Sequence, residues 1–228
     1  MSGGAVLAPS KNLETPGARR RARRELVWDD HGFLRFQFRN LHRISDEMYR
    51  SNQPSPENIA QYAKELGLRT ILNLRGASPK GHYLLEQEAC ARHGIELIDF
   101  QVFSREVPAR ETVLTAKRLF ETIAYPALMH CKSGADRAGI MAVLYMHFRK
   151  GLPIKEALEQ LSFKYLHIRD GKTGVLDYFF YTYLSEGAAR GVSFTDWVTQ
   201  GYDHVGLKRE FMKSRKWKLN LDQLLRRE

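Results

Sequence analysis

The chain has 228 residues, of which 43% are hydrophobic and 27% charged, with a formal net charge of +10. That length favours one domain with terminal extensions, and the composition is that of a soluble globular protein. Two cysteines, Cys90 and Cys131, are too few for a disulfide scaffold, and no run approaches the ~20 apolar residues of a membrane span. With no charged-then-apolar leader at its start, the expectation is a reducing, cytoplasmic setting in which any membrane contact is peripheral.

The charge is uneven. Residues 1–25 hold six basic and two acidic residues, residues 207–228 hold eight and three, and the centre is nearly neutral. Residues 1–25 lack apolar periodicity and read as a disordered basic arm, residues 26–200 as the folded domain, and residues 201–228 as a basic C-terminal extension. Such arms suit an anionic membrane face or simply a solvated surface. Nucleic acid is disfavoured as a partner, because the aromatics in the tail, such as Phe211 and Trp217, are few and no nucleic-acid module is visible.

Order is expected from near Val27. FLRFQFRNLHRIS and EMYRSNQP alternate as opening strands. SPENIAQYAKELGL begins with a Ser55 cap and Pro56, and Ile59, Tyr62, Ala63 and Leu66 make one apolar stripe, which predicts a helix. RTILNLRG is a buried strand, HYLLEQEACARHG a helix with Cys90 in the core, and IELIDF a strand. Val113, Ala116, Phe120 and Ile123 mark the next helix, and PALMH is a short strand. AGIMAVLYMHF, apolar nearly all round, predicts a buried helix, and PIKEALEQLSF, TGVLDYFFYTYL and the basic end read as helical. This alternation predicts an α/β fold: a central, mainly parallel, twisted sheet flanked by helices.

Between PALMH and AGIMAVLYMHF lies HCKSGADR. It places Cys131 just beyond a strand's carboxyl end and Arg137 in or before the first turn of a helix, where open α/β sheets bind ligands. Helix-start amides lack internal partners and carry partial positive charge, so Lys132, Ser133, Gly134, Ala135, Asp136 and Arg137 can ring an anion. Gly134 is the residue suited to a positive φ. The same field favours a cysteine thiolate, and an arginine fork matches two phosphoryl oxygens. Phosphoryl transfer to sulfur, followed by hydrolysis of the cysteinyl-phosphate, is the inferred chemistry, with no metal or cofactor implied.

His130-Cys131-x5-Arg137 at a strand–helix junction, with NLRG upstream, resembles the signature of the protein tyrosine phosphatase superfamily and its compact bacterial dual-specificity-like branch. The resemblance implies Cys131 as nucleophile, Arg137 as phosphate clamp, His130 as a support for the ionised thiol, and Asn73 and Arg75 as supporting residues near the loop. It implies a phosphorylated protein or a phosphoinositide-like molecule as substrate.

Three positions depart from the superfamily pattern. Its usual aspartate on a mobile loop is missing, since QVFSREVPA holds only Glu106, with Asp99 just before it. Asp136 stands before the arginine, as in a bacterial branch with HCxxGKDR loops, so Asp136 is the first choice of general acid, Asp99 the second and Glu106 the third. Ala138 replaces the usual Ser or Thr after the arginine. In FKYLHIRDGKTGVLD, either His167, Arg169 and Lys172 rim the pocket, or Thr173 caps the next helix and Asp177 holds the loop closed. The rival functions are a phosphate-binding module without turnover and, further off, a rhodanese-type sulfurtransferase.

Overall fold

A computed structural model describes residues 13–29 and 38–225, with side chains over 13–28 and 38–214. It divides into two compact units, one from residues 1–102 with 122–138, the other from 103–121 with 139–228.

The first unit holds the sheet. Its strands are β1 (His42–Arg43), β2 (Met48–Ser51), β3 (Thr70–Asn73), β4 (Glu96–Asp99) and β5 (Ala127–His130), in the spatial order β1-β2-β5-β3-β4. Only the β1–β2 pair is antiparallel. The parallel register aligns Ser51 with His130, His130 with Asn73, and Asn73 with Asp99, so four strands end on one row. β3 and β5 are buried at every residue, which is why they read as unbroken apolar runs rather than alternating ones. The expected opening strand is reduced to β1, and residues 33–37 of that stretch lie outside the described residues.

α2 (Pro56–Leu66) starts with a capping box: Ser55 Oγ accepts from the Asn58 N–H, and Asn58 Oδ1 accepts from the Ser55 N–H. It ends at Gly67, whose φ of +61° is left-handed. Ile59 and Tyr62 of α2 pack with Ala89 and Cys90 of α3 (Gly81–Arg92) against Ile71 and Leu128 of the sheet. Cys90 is therefore core, as expected. Burial, and then the Glu86 carboxylate, push its thiol well above the usual cysteine range and leave it neutral.

The reading of residues 1–25 as a disordered arm is corrected over its second half; residues 1–12 lie outside the described residues. Pro16–Arg24 is a helix, α1, capped by Thr15 Oγ1 accepting from the Ala18 N–H. Arginines hid a small apolar face: Leu13, Ala22 and Leu26 are buried against Leu85 of α3. Arg19 makes a two-pronged bond to Glu88 of α3, at 2.8 and 2.6 Å.

The second unit is helical. It contains α4 (Arg110–Thr122) nearly whole, α5 (Asp136–Phe148) beyond its first turn, α6 (Ile154–Ala157), α7 (Val175–Glu186), α8 (Phe194–Gln200) and α9 (His204–Leu225). Ile140 to Tyr145 of α5 are all buried, as the unbroken apolar run predicts. Phe179 and Tyr183 of α7 meet Phe194 and Trp197 of α8, and Trp197 stacks on Tyr202 with ring centroids 4.7 Å apart. The basic extension is helical from His204 to Leu225, and its Phe211 lies against Tyr178 of α7. Trp217 is outside the described side chains.

PIKEALEQLSF is only α6 followed by 3-10 turns at Leu158–Gln160 and Phe163–Tyr165, the second ending at Leu166 with φ +66°. The next helix starts at Val175, not at Thr173, after a further 3-10 turn. Thr173 Oγ1 instead donates to the Ile168 carbonyl at 3.3 Å.

Candidate functional site

β5 ends at His130, and α5 begins at Asp136, so Cys131 to Ala135 form the link, placed on the carboxyl-end row of the sheet. The chain is held there by what its carbonyls do. The His130 carbonyl accepts from the Leu74 N–H at 3.0 Å and that of Lys132 from the Gln53 N–H at 3.4 Å. The Ser133 carbonyl accepts from Asn40 Nδ2 at 2.9 Å. Those of Gly134 and Ala135 share one nitrogen, Arg50 Nη2, at 2.8 and 2.9 Å.

Four successive carbonyls, from Lys132 to Ala135, are thus drawn outward. In a planar trans peptide the N–H points opposite the carbonyl before it, so the amides of Ser133 to Asp136 face into the loop. The Ala135 N–H also lies 3.4 Å from Ser133 Oγ. The arrangement is an anion nest that opens onto the N-terminus of a 13-residue helix. Gly134 has φ +77°, and a Cβ there would lie 2.7 Å from the Ser51 carbonyl carbon and 2.8 Å from the Asn52 nitrogen. Both are backbone, so only glycine fits.

Cys131 is buried at the base of the loop, while Lys132, Asp136 and Arg137 are half-buried along it. Ala138 is fully buried. The structure therefore gathers Cys131, Arg137, Asp136 and the remaining loop residues in one turn of chain. Beneath them His130, fully buried, has its Nε2 2.6 Å from Glu86 Oε1, a close approach without hydrogen-bond alignment.

The two other candidate acids, Asp99 and Glu106, lie outside the loop and make bonds of their own. Asp99 Oδ1 accepts from Asn73 Nδ2 at 2.7 Å and Oδ2 from the Tyr83 hydroxyl at 2.5 Å. Burial, then Asp99 itself, raises the Tyr83 phenol well above its ordinary range and keeps it a donor. Glu106, in the second unit, is ion-paired with Lys208. Asn73 and Arg75 sit beside the loop at the end of β3. Asn73 Oδ1 accepts from the Arg75 N–H at 3.0 Å, and Arg75 Nη1 donates to Gln53 Oε1 at 2.8 Å.

In the second unit Asp177 accepts from Arg169 Nε at 3.2 Å and lies 2.6 Å from His167 Nε2, both sides of the pair being buried for His167. Those two residues close their own loop, as in the structural reading of FKYLHIRDGKTGVLD. Among the described residues no three His, Cys, Asp or Glu side chains cluster as a metal site, and no helix is long and apolar enough to cross a membrane.

Asn40, Arg50, Gln53 and Glu86 were missed from sequence. Each is a polar side chain buried far from its partner in the chain; Arg50 and Glu86 are polar residues that a strand and a helix bury, and Asn40 and Gln53 lie outside both kinds of element.

A family model described as DSP-PTPase phosphatase fused to NAD+ kinase matches residues 40–172. Inositol diphosphatase DSP5 of Arabidopsis thaliana is 31% identical over 107 residues, covering 45% of this chain and 50% of the relative. Dual specificity protein phosphatase TpbA of Pseudomonas aeruginosa is 27% identical over 128 residues, covering 54% of this chain and 53% of the relative. The chain spans about half the length of the curated relatives it matches. The crystal structure of P. aeruginosa TpbA superposes with a TM-score of 0.50 at 21% identity, covering 75% of this chain and 90% of that one, which shows a shared fold.

Proposed function

The chain belongs to the family of DSP-PTPase phosphatases fused to NAD+ kinase, and from that membership we propose that it hydrolyses phosphomonoesters through a phosphocysteine at Cys131. The observation that carries this reading is the loop from Cys131 to Arg137, whose carbonyls are held outward at the carboxyl end of β5. Its inward amides and Arg137 bind the phosphoryl oxygens, and Cys131 Sγ, as thiolate, attacks phosphorus from the loop floor. The P–O bond to the leaving group breaks as that oxygen takes a proton from Asp136. Water then attacks the phosphocysteine and returns a proton to Asp136, releasing phosphate and the thiolate.

Asp136 is favoured as the acid because it stands in the loop itself, directly before Arg137. Lys132 beside the clamp favours a substrate with several negative charges, on a phosphoprotein or an inositol-phosphate-like molecule. The two relatives bear the names of an inositol diphosphatase and a protein phosphatase, which weighs against the binding-only and sulfur-transfer readings. A peripheral membrane contact through the basic termini belongs to the same proposal, supported by the arginines of α1 and the lysines of α9.

The test is turnover of an aryl phosphate by the full chain without added metal. The expected result is activity in wild type and none in Cys131→Ser. Equal activity in the two proteins would remove Cys131 from the mechanism, and absence of activity in wild type, with phosphate binding retained, would return the binding-only module.

A further inference from the structure

Of the peptide planes in the loop, the one joining Ser133 to Gly134 is the one whose direction its own backbone leaves undecided. It carries the Ser133 carbonyl and the Gly134 N–H on opposite sides, so turning it over exchanges the two. That turn would take Gly134 from its φ of +77° to the negative side, and glycine populates both about equally. In the planes on either side, the residue that would have to become positive in φ is Ser133 or Ala135, whose Cβ disfavours it. The choice matters to an anion. One orientation offers it a donor, and the other offers it a carbonyl oxygen that repels it.

Asn40 makes that choice. It is 4% exposed, its Nδ2 donates to the Ser133 carbonyl at 2.9 Å, and the same nitrogen would lie 2.8 Å from a Cβ at Gly134. A carbonyl can only accept, so the amide nitrogen must face Ser133, which leaves Oδ1 to accept from His42 Nε2 at 2.9 Å. The Asn40 backbone has φ +44°, one of two non-glycine residues in the left-handed region among the described residues. Asparagine tolerates that conformation, which persists where the surroundings impose it. Here they do. The Asn52 N–H donates to the Arg39 carbonyl at 3.1 Å, Asn52 Nδ2 to the Phe38 carbonyl at 2.5 Å, and Arg39 Nη1 to Gln61 Oε1 at 2.7 Å.

We infer that Asn40 is a positioning residue that locks the peptide between Ser133 and Gly134, with the Gly134 N–H turned into the loop as a donor to the phosphoryl group. The inference rests on the phosphatase reading for its effect on turnover, whereas its effect on anion binding follows from the loop alone. Asn40 does not itself touch the anion. Its side chain acts from behind the loop, and its left-handed backbone is what brings the amide there.

The experiment compares full-length wild type, Asn40→Asp and Asn40→Gly. Asn40→Asp keeps the shape and the tolerance of positive φ but sets an acceptor against the Ser133 carbonyl; Asn40→Gly keeps the backbone conformation and removes the amide. The chain has two Ser-Gly pairs, Ser2 with Gly3 and Ser133 with Gly134. Cell-free labelling of serine carbonyl carbons and glycine nitrogens therefore yields an amide spectrum with those two signals alone. Inorganic phosphate should move the Gly134 signal of wild type and leave Gly3 in place. By calorimetry the phosphate Kd should rise about 10- to 100-fold in both variants, the loss of one hydrogen bond to a charged group. The kcat/KM for an aryl phosphate should fall at least as far.

A merely structural role would lower the urea midpoint of the variants and leave the phosphate affinity of the folded protein unchanged, and that result overturns the inference. So does a Gly134 signal in wild type that phosphate does not move. If one variant does not fold, the other decides. A wild type that binds phosphate through Gly134 but does not turn over removes the phosphatase reading and leaves the inference standing; turnover with a stationary Gly134 signal does the reverse.

Discussion

Replacing Arg50 with methionine isolates the device that shapes the loop. Arg50 is fully buried, and its Nη2 serves the carbonyls of both Gly134 and Ala135. Methionine keeps most of the volume and gives up both bonds. A hydrogen bond from a charged donor contributes about 1.5–3 kcal/mol net, so two are worth roughly 3–6 kcal/mol. Returning the guanidinium from the interior to an uncharged side chain offsets part of that, because a buried cation carries a desolvation cost of several kcal/mol. The expected net loss is about 2–4 kcal/mol, read as a lower urea midpoint at unchanged m-value. Inorganic phosphate should raise the wild-type midpoint, through a gain of about 2.7 kcal/mol in unfolding free energy at a hundredfold excess over its Kd, and fail to raise that of Arg50→Met, whose loop amides are no longer held inward. A variant with the wild-type midpoint and full stabilisation by phosphate would refute the claim that Arg50 shapes the nest.

Gly134→Ala meets backbone at 2.7 and 2.8 Å at a positive φ, so it should abolish aryl phosphate turnover and lower the thermal midpoint; an active, stable variant would show that the loop relaxes. Asp136→Asn should cost kcat about 10²–10⁴-fold with aryl phosphates of poor leaving group, and far less with good ones, whereas Asp99→Asn should act mainly on stability, through Asn73 and Tyr83; the opposite pattern would move the acid to Asp99. Hydrogen bonding to Arg19, aided by its charge, holds the Glu88 carboxyl below its ordinary 4.5. A depressed carboxyl stabilises the fold fully above its unfolded pKa and loses that as pH falls through the folded one, so α1 should lose hydrogen-exchange protection below about pH 4.5. Arg19→Ala should lose the same protection already at neutral pH, and protection independent of both would contradict the docking contact.

Much of this architecture was legible because its determinants are local. The Ser55–Pro56 start and Gly67 end of α2, the apolar runs of β3 and β5, and the cysteine–arginine spacing each state their structure within a few residues. What makes the loop a nest is not local. Asn40 and Arg50 reach their carbonyl partners across 93 and 84 residues, and Gln53 reaches Glu86 across 33, so no periodicity announces them. Arg50 reads as the polar position of an alternating strand, yet it is wholly buried, because the loop carbonyls need a donor there. The second half of the N-terminal arm misled for the converse reason: its composition is that of a solvated chain, and the apolar face of Leu13, Ala22 and Leu26 finds its partner, Leu85, on a distant helix. The bonds of Asp99 to Tyr83 and Asn73 are likewise tertiary, and nothing near Asp99 in sequence reveals them.

The most direct test of the mechanism is to mix the full chain with an aryl phosphate, quench in acid within one turnover, and weigh the protein and its peptides. A phosphoryl group on the peptide containing Cys131, absent in Cys131→Ser and longer-lived in Asp136→Asn, is the result the mechanism predicts. Product release with no phosphoryl group on Cys131 in any of the three proteins would contradict it.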